Sequence, residues 1–319
     1  MPNVISGFAV VIVIIALGYC VGRKQLLGPN AVYTLNMFVY WIALPPMLIM
    51  FMMDADLELL FGSGLAIAIL SGCGAGLLGF LGSRFFAKRG TSDSLIAMLA
   101  SSYNNSTHLG IPLAAHILGN PTATLPIILF QVGLYAPVAT LALDIATQPS
   151  GSTRIRGAER LRNVLGAIVR NPMIIGAVIG VTLSLLHSRY DIQLPFLITE
   201  PLDTLARATV GVALIGFGMS LAGTGVLEKG VSPRRSVLAA TAIKTIIHPA
   251  LAVALGHFLF GMDQHTLLIL AVIAGLPTGQ NVFTYAQRYQ VGTILARDTA
   301  VVSTIVSVPT LCAIFFLLG

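Results

Sequence analysis

The chain has 319 residues, of which 56% are hydrophobic and only 9% charged, and its mean hydropathy is +0.89. A soluble globular domain carries about 25% charged residues, so this composition excludes a water-soluble fold. Apolar runs near the length of a membrane-spanning helix, separated by short polar loops, predict an all-α polytopic membrane protein.

Ten apolar runs follow one another along the chain and are predicted to be transmembrane helices. A basic loop leaves five runs on each side, which predicts a first five-helix repeat (1–147), a loop (148–163) and a second five-helix repeat (164–319). The predicted spans are 4–22, 32–53, 60–83, 93–117, 121–146, 171–188, 200–222, 236–259, 265–286 and 295–318.

The basic residues are concentrated on one side of the predicted helices. The loops after spans 1, 3, 5, 7 and 9, with their flanks, hold 15 of the 18 Lys and Arg residues. Cytoplasmic loops of membrane proteins carry this excess of positive charge. We therefore expect a multi-pass protein of the cell membrane with both termini outside and the central loop in the cytoplasm. The net charge of +6 is then a topology signal and does not indicate a nucleic-acid partner.

Spans 4 and 9 each contain a Gly-x-Pro sequence, at Gly110–Pro112 and Gly275–Pro277. A proline with a preceding glycine interrupts a helix. The two prolines lie 165 residues apart, and the same shift places span 1 close to span 6. An odd number of spans per half inverts the second half in the membrane, as in the inverted repeats of secondary transporters. We expect broken helices 4 and 9 to cross; two simple proline kinks are the alternative.

A broken helix exposes backbone groups that must be buried in protein or line a cavity. Its new N-terminus carries a positive dipole end that suits an anion. Polar side chains beside the breaks are candidates for binding that anion, or alternatively for hydrogen bonds between helices. These candidates are Asn105, Gln280 and Asn281, with the hydroxyls of Thr107 and Thr278.

The motifs along the whole chain resemble those of the auxin efflux carrier family, which includes bacterial malonate- and malate-type permeases and plant PIN-FORMED auxin exporters. The family's fourth span carries an Asn ahead of Gly-Ile-Pro-Leu, and its ninth span reads like Leu-Pro-x-Gly. The matching residues here are Asn105 with Gly110-Ile111-Pro112-Leu113, Leu276-Pro277-Thr278-Gly279, Ala43-Leu44-Pro45 and Arg170-Asn171-Pro172.

The resemblance implies a permease for small organic anions, with a scaffold domain (spans 1, 2, 6 and 7) and a transport domain (spans 3–5 and 8–10). It implies that Asn105, Leu44 and Asn171 contact the substrate. Two departures from the plant members stand out, because the central loop is short and Gln280-Asn281 replace apolar residues. They favour a small, hydrophilic mono- or dicarboxylate over an auxin-like aromatic carboxylate, which stays as the alternative.

Lys244 lies deep in span 8, where a charge is costly unless it faces a cavity or a partner. It either takes part in charge or proton coupling, together with His248 or His108, or bonds to carbonyls of a broken helix. Histidine titrates near neutral pH, although a buried histidine satisfied by a carbonyl is the simpler interpretation. Acidic residues are nearly absent from span centres, so a carboxylate-rich sodium site is not expected. Carbonyls and hydroxyls of broken helices can also hold sodium, so both proton coupling and sodium coupling stay open.

The sequence leaves three other classes and the assembly state open. An intramembrane enzyme would need a Ser/His pair or two membrane aspartates. A sensor would normally carry a soluble signalling domain, and a channel would need no alternating access. No metal-binding or cofactor motif is present, and a homodimer is left open. The interpretation that best fits the sequence is a secondary transporter whose partners are a small carboxylate and the lipid bilayer.

Overall fold

The computed structural model describes residues 2–53, 62–114, 118–119, 121–147, 166, 169–170, 172–190, 194–222 and 225–319. Within these residues the secondary structure is helical, apart from one isolated β-bridge. The predicted basic loop lies outside the described ranges. Most of the helices coincide closely with the predicted apolar runs because those runs have few charges and few residues that end a helix. Two of the runs, 93–117 and 265–286, contain two helices each. The all-α fold class is thereby confirmed.

We number the helices in chain order, joining consecutive helical turns where they are continuous. The first half of the chain contains α1 (Pro2–Arg23), α2 (Ala31–Met53), α3 (Ser63–Phe86), α4 (Thr91–Ser102), α5 (Ser106–Gly110 continued by Ile111–Leu113) and α6 (Leu125–Ala146). The second half contains α7 (Pro172–Tyr190), α8 (Phe196–Leu221), α9 (Arg234–Phe258), α10 (Gln264–Ala274), α11 (Asn281–Tyr289) and α12 (Thr293–Leu318).

Six of the described helices, α2, α3, α6, α8, α9 and α12, are long and apolar enough to cross a membrane. Shorter apolar stretches lie at Ile12–Arg23, Val178–His187 and Gln264–Ala274. These helices fit a multi-pass membrane protein. The count of ten spans, the inverted repeat and the position of the termini stay predictions.

Four helical segments contain a wide π turn just before a proline. Proline lacks the backbone N–H that would bond one turn back, and its ring disturbs the preceding turn. Such π turns are frequent at functional sites. The segments Val39–Ala43, Ser106–Gly110, Gln131–Tyr135 and Ile243–Ile247 each end two residues before Pro45, Pro112, Pro137 and Pro249.

The chain divides into two compact units, each built from separate stretches of sequence. Unit 1 contains Met1–Leu60, Ile111–Thr122 and Leu165–Thr224, and unit 2 contains Phe61–Gly110, Ala123–Val164 and Gly225–Gly319. In unit 1, α1 packs on α8, while α7 and α8 pack on α2. In unit 2, α3 packs on α4 and α9, and α9 packs on α10 and α12.

Helices α1 and α8 pack closely because glycines occupy their contact. A Cβ added at Gly218 would meet the backbone oxygen of Ile15 and lie 2.8 Å from the backbone nitrogen of Tyr19. Gly211, in the same helix, has no atom within 4 Å of its added Cβ. The two glycines therefore form a matched pair, one at the contact and one away from it.

We expect Gly218→Ala to destabilise the detergent-solubilised protein by about 1–3 kcal/mol, because the methyl group pushes two backbones apart. Gly211→Ala is expected to be neutral or to stabilise α8 by about 0.5–1 kcal/mol. Thermal unfolding of the two variants beside the parent checks the difference. Equal melting temperatures for both variants would show that the α1–α8 contact is looser than described.

Candidate functional site

Two helices of unit 2 are interrupted in the middle of apolar sequence. Helix α4 ends at Ser102 and α5 begins at Ser106, with Tyr103–Asn105 extended between them. Helix α10 ends at Ala274 and α11 begins at Asn281. Asparagine and serine side chains compete for backbone hydrogen bonds, which favours the first interruption. Pro277, which has no N–H, favours the second.

The two extended segments cross and pair with each other. Asn104 and Thr278 form an isolated antiparallel bridge. The Asn105 N–H donates to the Pro277 carbonyl at 2.8 Å, and the Gly279 N–H donates to the Tyr103 carbonyl at 2.9 Å. Glycine fits position 279 because an added Cβ would lie in tight contact, 3.0 Å, with the Asn104 oxygen. Backbone groups freed by the interruptions thus satisfy one another away from water.

Side chains at the crossing satisfy the carbonyls at the helix ends. The Asn104 Nδ2 donates to the Ile273 carbonyl at 3.1 Å, near the end of α10. The Thr278 hydroxyl donates to the Ala100 carbonyl at 2.6 Å, near the end of α4. The Thr278 N–H in turn donates to the Ser303 hydroxyl at 3.0 Å. Asn104 and Thr278 therefore hold the crossing together.

Gln131 of α6 clamps the first extended segment. Its Oε1 accepts from the Asn104 N–H, and its Nε2 donates to the Asn104 carbonyl at 3.1 Å. The side chain is buried and lies at the start of a π turn. The sequence analysis missed this residue. The available signal was a lone glutamine in an apolar span, which is costly unless both ends of its amide are bonded.

Three side-chain atoms at the crossing have no hydrogen-bond partner within the described residues. They are Asn105 Nδ2, Ser106 Oγ and Asn104 Oδ1. Asn105 is only 2% exposed, so water does not freely satisfy its amide. Buried polar atoms without partners are uncommon and call for a ligand or another compensating group.

A small cavity lies at the crossing, wholly within unit 2. Its free volume is about 10 Å³, which is room for about one water molecule and too little for a carboxylate. None of the lining residues is acidic. They are Tyr103, Asn104, Asn105, Ser106, Thr107, Ile128, Gln131, Val132, Gly279, Gln280 and Asn281.

The structure places the first interruption ahead of Gly110 and Pro112, the residues predicted to break this helix. Gly110 closes the π turn of α5 and Pro112 lies in the helical residues after it, so the interruption precedes both of them. The physical reason is that the polar residues from Tyr103 to Asn105 leave the helix first. Gly275, Pro277 and Thr278 do lie in the second interruption, between α10 and α11.

The other predicted binding residues fall in different places. Thr107, Gln280 and Asn281 line the cavity with Asn105, and the Asn281 Nδ2 donates to the Tyr103 hydroxyl at 3.5 Å. Leu44 is buried in unit 1, and Asn171 lies outside the described residues. The structure therefore brings together the candidates of unit 2 alone.

Lys244 and His248 are fully buried in unit 2 and contact each other. The Lys244 Nζ lies 3.2 Å from His248 Nδ1 and donates to the Ala274 carbonyl at 2.6 Å. His248 Nε2 lies 3.4 Å from the Ser71 hydroxyl, so both ring nitrogens of His248 face side chains. The backbone of His108 is helical, while its side chain is not among the described parts. Across the described residues, no group of three His, Cys, Asp or Glu side chains could hold a metal ion.

Within this apolar helical protein, two interrupted helices pair at an enclosed polar site, an arrangement that is found in membrane transporters. The comparisons with known proteins agree: the chain belongs to the membrane transport protein family, whose model matches residues 3–315. The predicted resemblance is therefore confirmed, and the protein is a transporter and not an enzyme.

The chain is similar to a "Putative malonate transporter" of Rhizobium meliloti (strain 1021), at 26% identity over 319 residues, 96% of this chain and 92% of that relative. It is also similar to auxin efflux carrier component 1 of Arabidopsis thaliana, at 26% identity over 153 residues, 48% of this chain and 24% of the relative. Auxin efflux carrier component 2 of Oryza sativa subsp. japonica is 26% identical over 175 residues, 54% of this chain and 27% of the relative. The match thus spans about a quarter of each plant carrier.

Proposed function

We propose that the protein is a secondary carrier of small organic anions, mono- or dicarboxylates, which bind at the crossing in unit 2. The observation that carries this proposal is the buried Asn105 Nδ2, which has no partner within the described residues. A carboxylate oxygen would accept from it, and hydrogen bonds to a charged group contribute about 1.5–3 kcal/mol. Ser106 Oγ, also without a partner there, offers a second donor.

The charge distribution at the crossing supports an anion. Helix α11, nine residues long, begins at Asn281 in the cavity wall and directs its positive dipole end there. Thr107, in the first turn of α5, adds a hydroxyl on the opposite segment. The absence of acidic side chains among the lining residues removes an obvious source of repulsion.

Alternating access between a scaffold and a transport domain completes the proposal. Unit 1 contains the residues of predicted spans 1, 2, 6 and 7, and unit 2 contains spans 3 and 8–10 with most of spans 4 and 5. This division supports unit 1 as the scaffold and unit 2 as the transport domain. The free volume of about 10 Å³ means that the site must widen to admit substrate.

The proposed topology has ten spans in two inverted repeats, with both termini outside and the central loop in the cytoplasm. It is supported by the positions of the basic residues along the sequence. Cysteine substitutions in the loops after spans 1 and 2, labelled from outside intact cells, test the orientation. Labelling after span 1 but not after span 2 would overturn it.

Gln280 and Asn281 favour a small hydrophilic carboxylate. Both are polar, line the cavity and leave little apolar surface for an aromatic ring. The malonate transporter relative, matched along nearly its whole length, favours the same class. The plant relatives keep an auxin-like carboxylate as the second candidate.

The test is current on a solid-supported membrane carrying the purified protein, challenged with malonate, malate, smaller carboxylates and indole acetate. A saturable signal for malonate or malate that exceeds the signal for indole acetate is the expected result. Repeating the series without sodium and at several pH values identifies the coupling ion. Because electroneutral cotransport carries no net charge, uptake of radiolabelled malonate into liposomes accompanies the currents. Neither current nor uptake with any carboxylate would overturn the proposal.

A further inference from the structure

A buried chain of hydrogen bonds in unit 2 ends next to the crossing. It joins Lys244 of α9 to His248 one turn later, and His248 to Ser71 of α3. All three residues are at most 1% exposed. The Ser71 hydroxyl donates to the Ile67 carbonyl at 2.7 Å.

The direction of this chain follows from the bonds at its far end. Because the only hydrogen on the Ser71 hydroxyl is used on Ile67, that oxygen can only accept from His248 Nε2. A neutral histidine that donates from Nε2 has a lone pair on Nδ1. His248 Nδ1 is therefore the acceptor, and Lys244 Nζ is the donor.

Lys244 has two acceptors for its hydrogens, His248 Nδ1 and the Ala274 carbonyl. A neutral amine has two hydrogens and is fully used by these bonds, whereas an ammonium has a third hydrogen and a charge. A buried ammonium without a compensating anion is costly. The neutral amine is thus the form that these two hydrogen bonds accommodate.

No described carboxylate contacts Lys244, although several charged or titratable groups lie on the helices packed around it. Asp298 of α12 is paired with Arg297, and Arg234 at the start of α9 donates to the Leu227 carbonyl. Asp93 lies in the first turn of α4, and His265 is exposed near the start of α10. Cys73 of α3 is exposed. His248 is the titratable group in direct contact with the amine.

Lys244 is connected to the proposed binding site through the end of α10. It bonds to the carbonyl of Ala274, and Asn104 Nδ2 bonds to the preceding carbonyl, that of Ile273. Asn105, with its unpartnered amide, follows directly in the chain. Negative charge arriving at the crossing would stabilise an ammonium at Lys244, because charges interact strongly where water is excluded.

We propose that Lys244 is the proton-binding residue of the carrier and takes up one proton when an anion binds at the crossing. The proton bonds to the amine lone pair and creates the ammonium, and it leaves when the anion leaves. Unit 2 thereby carries anion and proton together. This inference rests on the proposed carboxylate function and adds the identity of its coupling group.

The experiment is calorimetric titration of the purified full-length protein with malonate at pH 7.5, in buffers with different heats of ionisation. The slope of the binding heat against the ionisation heat gives the number of protons taken up with each malonate. We expect close to one proton for the parent protein. Malonate binding without proton uptake would overturn the inference and leave the proposed function standing.

Two variants of Lys244 distinguish the uptake of a proton from the presence of a positive charge. Lys244→Arg keeps a positive charge but cannot release its proton, so it is expected to take up none with malonate. Lys244→Met has no amine and is also expected to take up none. Proton uptake at the parent level in either variant would place the proton on another group and overturn the assignment. Absence of malonate binding in the parent protein would overturn the function and the inference together.

Discussion

Replacing Asn105 with alanine is expected to weaken malonate binding about 10- to 100-fold, the loss that removal of one hydrogen bond to a charged group produces. The melting temperature of the unliganded protein is expected to stay nearly unchanged, because Asn105 Nδ2 has no partner to lose within the described residues. The backbone bond from Asn105 to Pro277 does not depend on the side chain. Calorimetric titration with malonate and thermal unfolding in detergent measure the two effects separately.

Asn104→Ala is the matched control, since the residue is adjacent and equally buried. Its Nδ2 bonds to the Ile273 carbonyl, so truncation leaves a buried acceptor with one bond fewer and costs about 1–3 kcal/mol of stability. If Asn105→Ala weakens binding without changing stability while Asn104→Ala lowers stability, the Asn105 side chain binds the substrate. Equal loss of stability in both variants would make Asn105 a structural residue and remove the main support for the site.

The sequence indicated the helices and the two interrupted spans, but it indicated the position of only one interruption. Pro277 follows Gly275 and lies in the second interruption, as a missing N–H predicts. Pro112 instead follows a π turn that continues as helix, so the same signal pointed several residues too far along. Tyr103–Asn105 contain no proline or glycine. The asparagines weaken the helix locally, but the extended form also depends on pairing with residues 277–279, which no local pattern reveals.

The side chains that hold the crossing could be noticed in the sequence, but their roles could not be assigned. Ser303 and Gln131 are single polar residues in apolar helices, and their roles depend on which backbone group lies opposite them. Lys244 differs because its charge alone made it a candidate in the sequence. The structure shows what the sequence left open, that its amine bonds to the last carbonyl of an interrupted helix.

Gln131→Leu is expected to abolish carboxylate transport and to lower the unfolding free energy more than the other variants considered. The substitution keeps the approximate size but removes both bonds to the Asn104 backbone. A buried N–H and a buried carbonyl then lose their partner, each at about 1–3 kcal/mol. The extended segment loses its clamp, so the Asn105 amide and the start of α5 no longer hold the geometry that an anion requires. Malonate uptake into liposomes and thermal unfolding check both effects.

Leu134→Ala is the matched control, because Leu134 lies in the same π turn with its side chain exposed. It is expected to keep both transport and melting temperature close to the parent, which separates loss of the clamp from general damage to α6. Should Gln131→Leu transport malonate at the parent rate, the extended segment would be held by its pairing with Pro277 and Gly279 alone. The two backbone hydrogen bonds of the crossing would then be sufficient to hold the site without the Gln131 side chain.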